Sequence, residues 1–302
     1  MWGWLKRHQR SDTDADRGPG ASAVAHYRIE RRIGQGAAAQ VFLAQDRRNG
    51  RWVALKLLEL GTSAASPDWH DALERFRREA TVLRGLHHPG IVEVLDAGWS
   101  ERGAWMALEV VAGCDLSRYT QPARLLPPAL VARTGARIAD ALAHAHRQGV
   151  VHRDVKPANV LVDWASDTVK LSDFGVARMG EHTQTRSGVT LGSPDYMAPE
   201  QLAGGVVGAP ADVYGVGVSL YELLAGRRPH QADNLGALLR AVATEPAPDI
   251  ARLRTDLDPA LAAVVMQSLA KDPTARPTDA AELAARLLVC AGIRSSGAPS
   301  TP

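Results

Sequence analysis

The sequence predicts an α+β protein in two unlike parts: a small antiparallel sheet with one main helix, then a larger, mainly helical remainder. Three observations carry this. Apolar runs of strand length, punctuated by Gly34, Gly36 and Asn49-Gly50, fill residues 27–60. Helix-spaced apolar residues dominate from residue 127 onward. The 302-residue chain is 45% hydrophobic and 23% charged, enough for one large two-part domain with a sizeable core. A strand-rich segment followed by a helix-rich one reads as α+β.

The first part opens with strands at 27–33, 39–45 and 51–60, the last two joined by Asn49-Gly50, a strong hairpin signal. A helix follows at about 70–85, where Leu73, Phe76, Ala80 and Leu83 share one face. Two more strands are expected at 91–97 and 104–111. Pro127 and Pro128 then open a helix that runs to Gly149, with Leu130, Thr134, Ile138, Leu142 and Ala145 on one side. Further helices are expected at about 210–226, 233–244, 259–270 and 277–290. Residues 1–26 read as a flexible leader, polar and small at 11–25, and 292–302 as a disordered tail.

Bulk properties exclude several classes. Net charge is +2, with 35 basic against 33 acidic residues, so no basic field argues for nucleic acid. The two cysteines, Cys114 and Cys290, form no metal or disulfide framework and suit a reducing cytoplasm. No apolar run reaches the ~18 residues of a membrane span. Trp2 and Trp4 beside Lys6, Arg7 and Arg10 would suit a membrane surface, but a frayed terminus is the simpler reading.

Four motifs carry chemistry. Gly34-Gln35-Gly36 turns between two strands, where backbone N–H groups can approach phosphate; alone it is no more than a hairpin. Lys56 follows in a strand, Val53-Ala54-Leu55-Lys56. A carboxylate is needed to position its ammonium; Glu79 is the better candidate on the next helix and Glu74 the alternative. The decisive motif is His152-Arg153-Asp154-Val155-Lys156-Pro157-Ala158-Asn159, just past a helix end. Asp154 suits an attacking hydroxyl, as proton acceptor or orienting group. Lys156 suits developing charge on a phosphoryl group, and Asn159 a metal ion. So many charged and polar groups are costly as mere structure. His152 by itself reads as a packed, hydrogen-bonded side chain. Asp173-Phe174-Gly175 adds a carboxylate for Mg²⁺, which favours one or two carboxylates plus phosphate oxygens.

With these motifs in order, and with Ala198-Pro199-Glu200 after them, residues 27–291 resemble the bacterial eukaryotic-like (Hanks-type) serine/threonine protein kinase family. The resemblance implies the two-lobed protein-kinase fold, with an N-lobe at about 27–110 and a C-lobe at about 111–291. It implies ATP and Mg²⁺, with Mn²⁺ as an alternative ion. Gly34 and Gly36 would cover the phosphates. Lys56 would bind the α- and β-phosphates with Glu79 as its partner. Asp154 would be the catalytic aspartate with Lys156 beside the transferred group, and Asn159 and Asp173 the metal ligands. Ile33, Val41, Ala54 and Leu161 would line the adenine slot and Leu108 would gate it. The backbone of Glu109 and Val111 would meet the adenine edge, and Asp115 the ribose. Glu200 would pair with a buried Arg276, and Asp212 would brace the catalytic loop.

The Lys156-Pro157-Ala158-Asn159 form of the loop implies serine or threonine acceptors. Ser193 stands where the family usually has a threonine facing the substrate, a mild departure that keeps the hydroxyl. Ala39 stands where the family has a third loop glycine; this departure matters more, since the added methyl restricts the backbone, and a modest loss of nucleotide affinity without inactivity is expected. Arg153 implies a switch in which Thr183, Thr185, Ser187 or Thr190 is phosphorylated, with Thr185 favoured. Protein substrates are the expected partners, and a homodimer would permit trans-autophosphorylation. A nucleotide-binding scaffold of the same fold would need a lost Lys56, Asp154, Asn159 or Asp173, and all four are present. A small-molecule kinase is disfavoured by residues 192–200.

Overall fold

The computed structural model describes residues 24, 26–35, 39–58, 67–100, 103–174, 193–205 and 207–292. They form two compact units. One runs to Arg84 and resumes at Val94–Val110; the other holds Gly85–Glu93 and everything from Val111.

The first unit is a five-stranded antiparallel sheet with one helix. Its strands are β1 (Tyr27–Gln35), β2 (Ala39–Asp46), β3 (Trp52–Leu58), β4 (Val94–Ser100) and β5 (Gly103–Glu109), in spatial order β1-β2-β3-β5-β4. Alternation decides which face is dry: Ala44, Val53, Leu55, Trp105 and Ala107 join Val24 and Tyr27 in a buried cluster. The Asn49-Gly50 turn is present, with Gly50 at φ 74° and its N–H bonded to Asp46 O at 2.7 Å. Helix α1 (Pro67–Arg84) buries Leu73, Phe76 and Ala80, the face expected from their spacing.

The fourth strand lies further along than the apolar run at 91–97 suggested. Ile91 instead makes an isolated bridge to Leu171, and Val92 N–H bonds Leu171 O at 2.9 Å, which ties Gly85–Glu93 to the second unit. The sequence boundary near residue 110 had put that segment in the first part.

The second unit is built on helices α2 (Pro128–Arg147), α3 (Pro199–Leu202), α4 (Ala209–Ala225), α5 (Leu235–Thr244), α6 (Ile250–Leu253), α7 (Pro259–Ser268) and α8 (Ala280–Cys290). A three-stranded sheet, β6 (Cys114–Asp115), β7 (Val160–Asp163) and β8 (Thr168–Leu171), accompanies them. Helix α4 is apolar nearly all round and is its buried axis. It ends where Gly226 takes φ 70°, a left-handed cap. The last helix starts later than Pro277 suggested, because the Asp279 side chain caps Glu282 N–H at 2.8 Å. Both cysteines are free thiols. No helix among the described residues is long and apolar enough to cross a membrane.

Two buried polar arrangements hold this unit together. The Arg276 guanidinium, with a fully buried side chain, forks onto both oxygens of Glu200 at 2.7 and 2.8 Å. It also donates to the carbonyls of Pro210 and Ala270. The Glu200–Arg276 pair expected from sequence is therefore present. Cutting Arg276 to Met strands Glu200 and these carbonyls, so urea denaturation of Arg276→Met should show a loss of ~3–5 kcal/mol.

The second arrangement is His230, whose Nε2 accepts from Lys271 Nζ at 3.0 Å while Lys271 also donates to Val242 O at 2.6 Å. Burial and the neighbouring ammonium push His230 down to about 4. The unfolded chain protonates this imidazole near its ordinary ~6.5, whereas the folded chain refuses the proton until about 4. Stability is therefore lost as pH falls from 6.5 towards 4, by an amount of order 2–3 kcal/mol. Denaturation of His230→Gln over that range should show the slope removed.

Candidate active site

In the first unit the register sorts the residues singled out from sequence. Lys56 lies opposite Val41 on β2 and Met106 on β5, and Ala54 opposite Leu43 and Leu108. Directly opposed side chains share a face, so Val41, Ala54, Lys56 and Leu108 all stand on the face away from the Val53–Leu55 core. Gly34 sits opposite Val41 at an irregularity of β1, and Ile33 beside it is 42% exposed. Ala39 begins β2 opposite Leu58. Gly36 lies outside the described residues. Of the two helix carboxylates, Glu74 is exposed and bonded to Arg77 at 2.8 Å, and Glu79 is half-buried.

In the second unit the loop after α2 is held by one carboxylate. Asp212, fully buried on α4, accepts the N–H groups of His152 at 2.8 Å and Arg153 at 2.7 Å. His146 Nε2 meets the same carboxylate at 2.7 Å. These bonds fix Arg153 at φ 66°, a left-handed conformation costly for a side-chain-bearing residue. Gln201 adds a bond to Arg153 O at 3.0 Å. Gly215, one turn along α4, packs closely on the same loop: a Cβ there would meet Val155 at 3.0 Å, tighter than an ordinary contact. The bracing role expected of Asp212 is thus seen directly.

That loop brings the chemical groups together. Lys156 Nζ donates to Asp154 Oδ2 at 2.8 Å and to Ser193 Oγ at 3.2 Å. Asn159 Nδ2 donates to Asp154 O at 2.8 Å and to Oδ2 at 3.0 Å. With its amide nitrogen so committed, Asn159 retains Oδ1 as an acceptor atom. Asp173 is exposed and sits at φ 57°, a second left-handed residue. Carboxamide and carboxylate oxygens are hard donors of the kind Mg²⁺ takes together with phosphate and water. The residues present therefore fit a phosphate-bound divalent ion; no cluster of three His, Cys, Asp or Glu among the described residues offers a protein-only metal cage.

His152 is what its sequence context suggested, a packed histidine, and it is also a strut. Its Nδ1 accepts Asp154 N–H at 3.2 Å, so Nε2 carries the proton and donates to Ser172 O at 2.9 Å. Its ring lies 4.5 Å from that of Phe174. Ser172 in turn bonds Asn159 O through N–H and Oγ. Ser172 and His146 were not singled out from sequence; short polar residues bonded to backbone leave no periodic signal.

Leu161 lies opposite Asp115 in the small sheet. Asp115 Oδ1 caps Ser117 N–H at 2.9 Å and also takes the Ser117 hydroxyl, a local turn not foreseen for a ribose ligand. Glu109 ends β5 opposite Val53, and Val111 follows in the second unit, half-buried. Thr183, Thr185, Ser187 and Thr190 lie outside the described residues.

Known proteins resemble this chain over most of its length. Residues 27–288 match the protein kinase domain family. PknJ of Mycobacterium tuberculosis, a serine/threonine-protein kinase, is 40% identical over 87% of this chain and 45% of its own length. Pkn3 of Myxococcus xanthus, also a serine/threonine-protein kinase, is 35% identical over 91% of this chain and 51% of its own. The chain thus spans about half the length of these curated relatives. The crystal structure of the M. tuberculosis PknI kinase domain superposes with a TM-score of 0.69 at 32% identity, covering 88% of this chain and 96% of that domain. The chain belongs to the protein kinase family, in its bacterial eukaryotic-like serine/threonine branch. Members of this family use ATP with a divalent metal ion.

Proposed function

We propose that this chain is an active protein kinase that transfers the γ-phosphoryl group of ATP to serine and threonine hydroxyls of proteins. The carrying observation is the Asp154–Lys156–Ser193–Asn159 cluster, in which one carboxylate, one ammonium and one hydroxyl converge within hydrogen-bond reach. We assign the catalytic domain to residues 27–291.

The reaction asks three things of these residues. Asp154 orients the acceptor hydroxyl and receives its proton as the oxygen bonds to the γ-phosphorus. The bond from that phosphorus to the β,γ-bridging oxygen breaks, and ADP leaves with the electron pair. Lys156 supplies positive charge beside the group in flight, which is where most of the catalytic help lies for a loose phosphoryl transition state. In the first unit, Lys56 meets the α- and β-phosphates, and Val41, Ala54 and Leu108 offer an apolar surface for the base. Asn159 and Asp173 would hold Mg²⁺, with Mn²⁺ as the alternative, and the ion would neutralise phosphate charge. The serine/threonine preference is supported by the Lys156 loop and by the relatives' class.

Incubation with γ-labelled ATP, Mg²⁺ and a generic basic protein tests this. Label should appear on the acceptor and vanish when EDTA removes the metal. Label that persists in EDTA, or tight ATP binding with no transfer, would defeat the proposal.

A further inference from the structure

The segment that carries Ser193 is tied to α4 at two successive side chains. Ser193 leads into a single 3-10 turn, Pro194–Tyr196, closed by Tyr196 N–H to Ser193 O at 3.1 Å. Asp195 points one way and pairs with Arg228 at 2.5 Å; both side chains are about a quarter exposed, at 21% and 32%. Tyr196 points another way, its hydroxyl donating to Glu222 Oε2 at 2.6 Å. Arg228 lies just past the Gly226 cap of α4, and Glu222 on the last turn of the same helix.

Helix α4 thus acts at both ends. Near its start, Asp212 holds the backbone of His152 and Arg153. Near its end, Glu222 and Arg228 hold the turn after Ser193. Asp212 and Glu222 are ten residues apart, so the helix sets a spacing of ~15 Å between the two attachments. Ser193 Oγ and Lys156 Nζ meet at 3.2 Å where the two held segments come together. Arg228 also has an electrostatic task. Asp195 and Glu222 bring two carboxylates to one small region, and burial already raises Glu222 above the usual carboxylate range. Arg228 attracts Glu222 as well as pairing with Asp195. Without its charge the carboxylates repel and the turn loses its second tie.

We propose that Arg228 is a positioning residue for phosphoryl transfer, latching Asp195 so that Ser193 and the acceptor hydroxyl stay aligned with Lys156 and Asp154. The inference rests on the kinase reading above and deepens it. The latch acts through the turn that Asp195 and Tyr196 share.

The test separates transfer to protein from transfer to water. Wild type, Arg228→Met, Asp195→Asn and the charge-swapped double variant Asp195→Arg/Arg228→Asp are assayed for phosphorylation of a protein acceptor and for ATP hydrolysis without one. Each neutralising variant should lose about tenfold in kcat for the acceptor, a modest share of the ~10²-fold that a 1 Å misplacement can cost. ATP hydrolysis and the KM for ATP should stay within about twofold of wild type, and the swap should recover part of the acceptor rate. Equal losses in both reactions would mark a merely structural role and overturn the proposal, as would unchanged acceptor kinetics. A wild type that transfers nothing to protein overturns the kinase reading itself, and a transferring wild type with an equally active Arg228→Met overturns the latch alone.

Discussion

Replacing Asp154 with asparagine should lower kcat for protein phosphorylation by ~10²–10⁴-fold while ATP still binds. Asparagine keeps the shape of the side chain, so the carboxamide still fits beside Lys156 and Asn159. What it loses is the charge and the ability to take a proton. Lys156 and Asn159 both address Asp154, at 2.8 and 3.0 Å on the same Oδ2. On the proposed mechanism Oδ1 then serves the acceptor hydroxyl. In the variant, either the amide nitrogen faces the Lys156 ammonium and the Asn159 donor, which is repulsive, or it faces the acceptor and donates where acceptance is needed. Steady-state kinetics at saturating ATP measures the effect, with calorimetric ATP titration as the control.

Asp212→Ala should cost about 3–5 kcal/mol of stability and remove most activity at once. The mechanism is different. Asp212 addresses backbone: it satisfies the buried N–H of His152 and the part-buried N–H of Arg153, and it faces His146. Truncation leaves those donors unpaired and releases the force that keeps Arg153 at φ 66°. Arg153 immediately precedes Asp154, so relaxation of that backbone moves the carboxylate. Urea denaturation reads the stability loss. Phosphorylation measured at a temperature where the variant is still folded reads the second effect. A variant that is destabilised yet fully active would show that the loop geometry does not depend on this brace.

Much of the fold was legible because its signals are local. Asn49-Gly50 fixed a hairpin, Gly149 marked a helix end, and Leu73, Phe76 and Ala80 declared a buried face. The chemical groups were legible for another reason: charged residues crowded between apolar runs need a purpose. What stayed hidden depends on distance along the chain. The strands β7 and β8 are only four residues each and look like flanks of the loop. Ile91 has the apolar pattern of a strand, but its partner Leu171 decides otherwise. His146, Glu222 and Arg228 sit on or just past helices and look like surface polar residues until Asp212, Tyr196 and Asp195 are placed beside them. Asp115 carried a family expectation, yet its nearest demand is a local one, the Ser117 N–H two residues on.

What receives the phosphate decides whether this chain is a serine/threonine protein kinase. Mass spectrometry of an acceptor protein after reaction with the wild-type chain, ATP and Mg²⁺ should find phosphate on serine and threonine, and none of it when Asp154→Asn replaces wild type. Phosphate confined to tyrosine, or equal labelling by the Asp154→Asn chain, would contradict it.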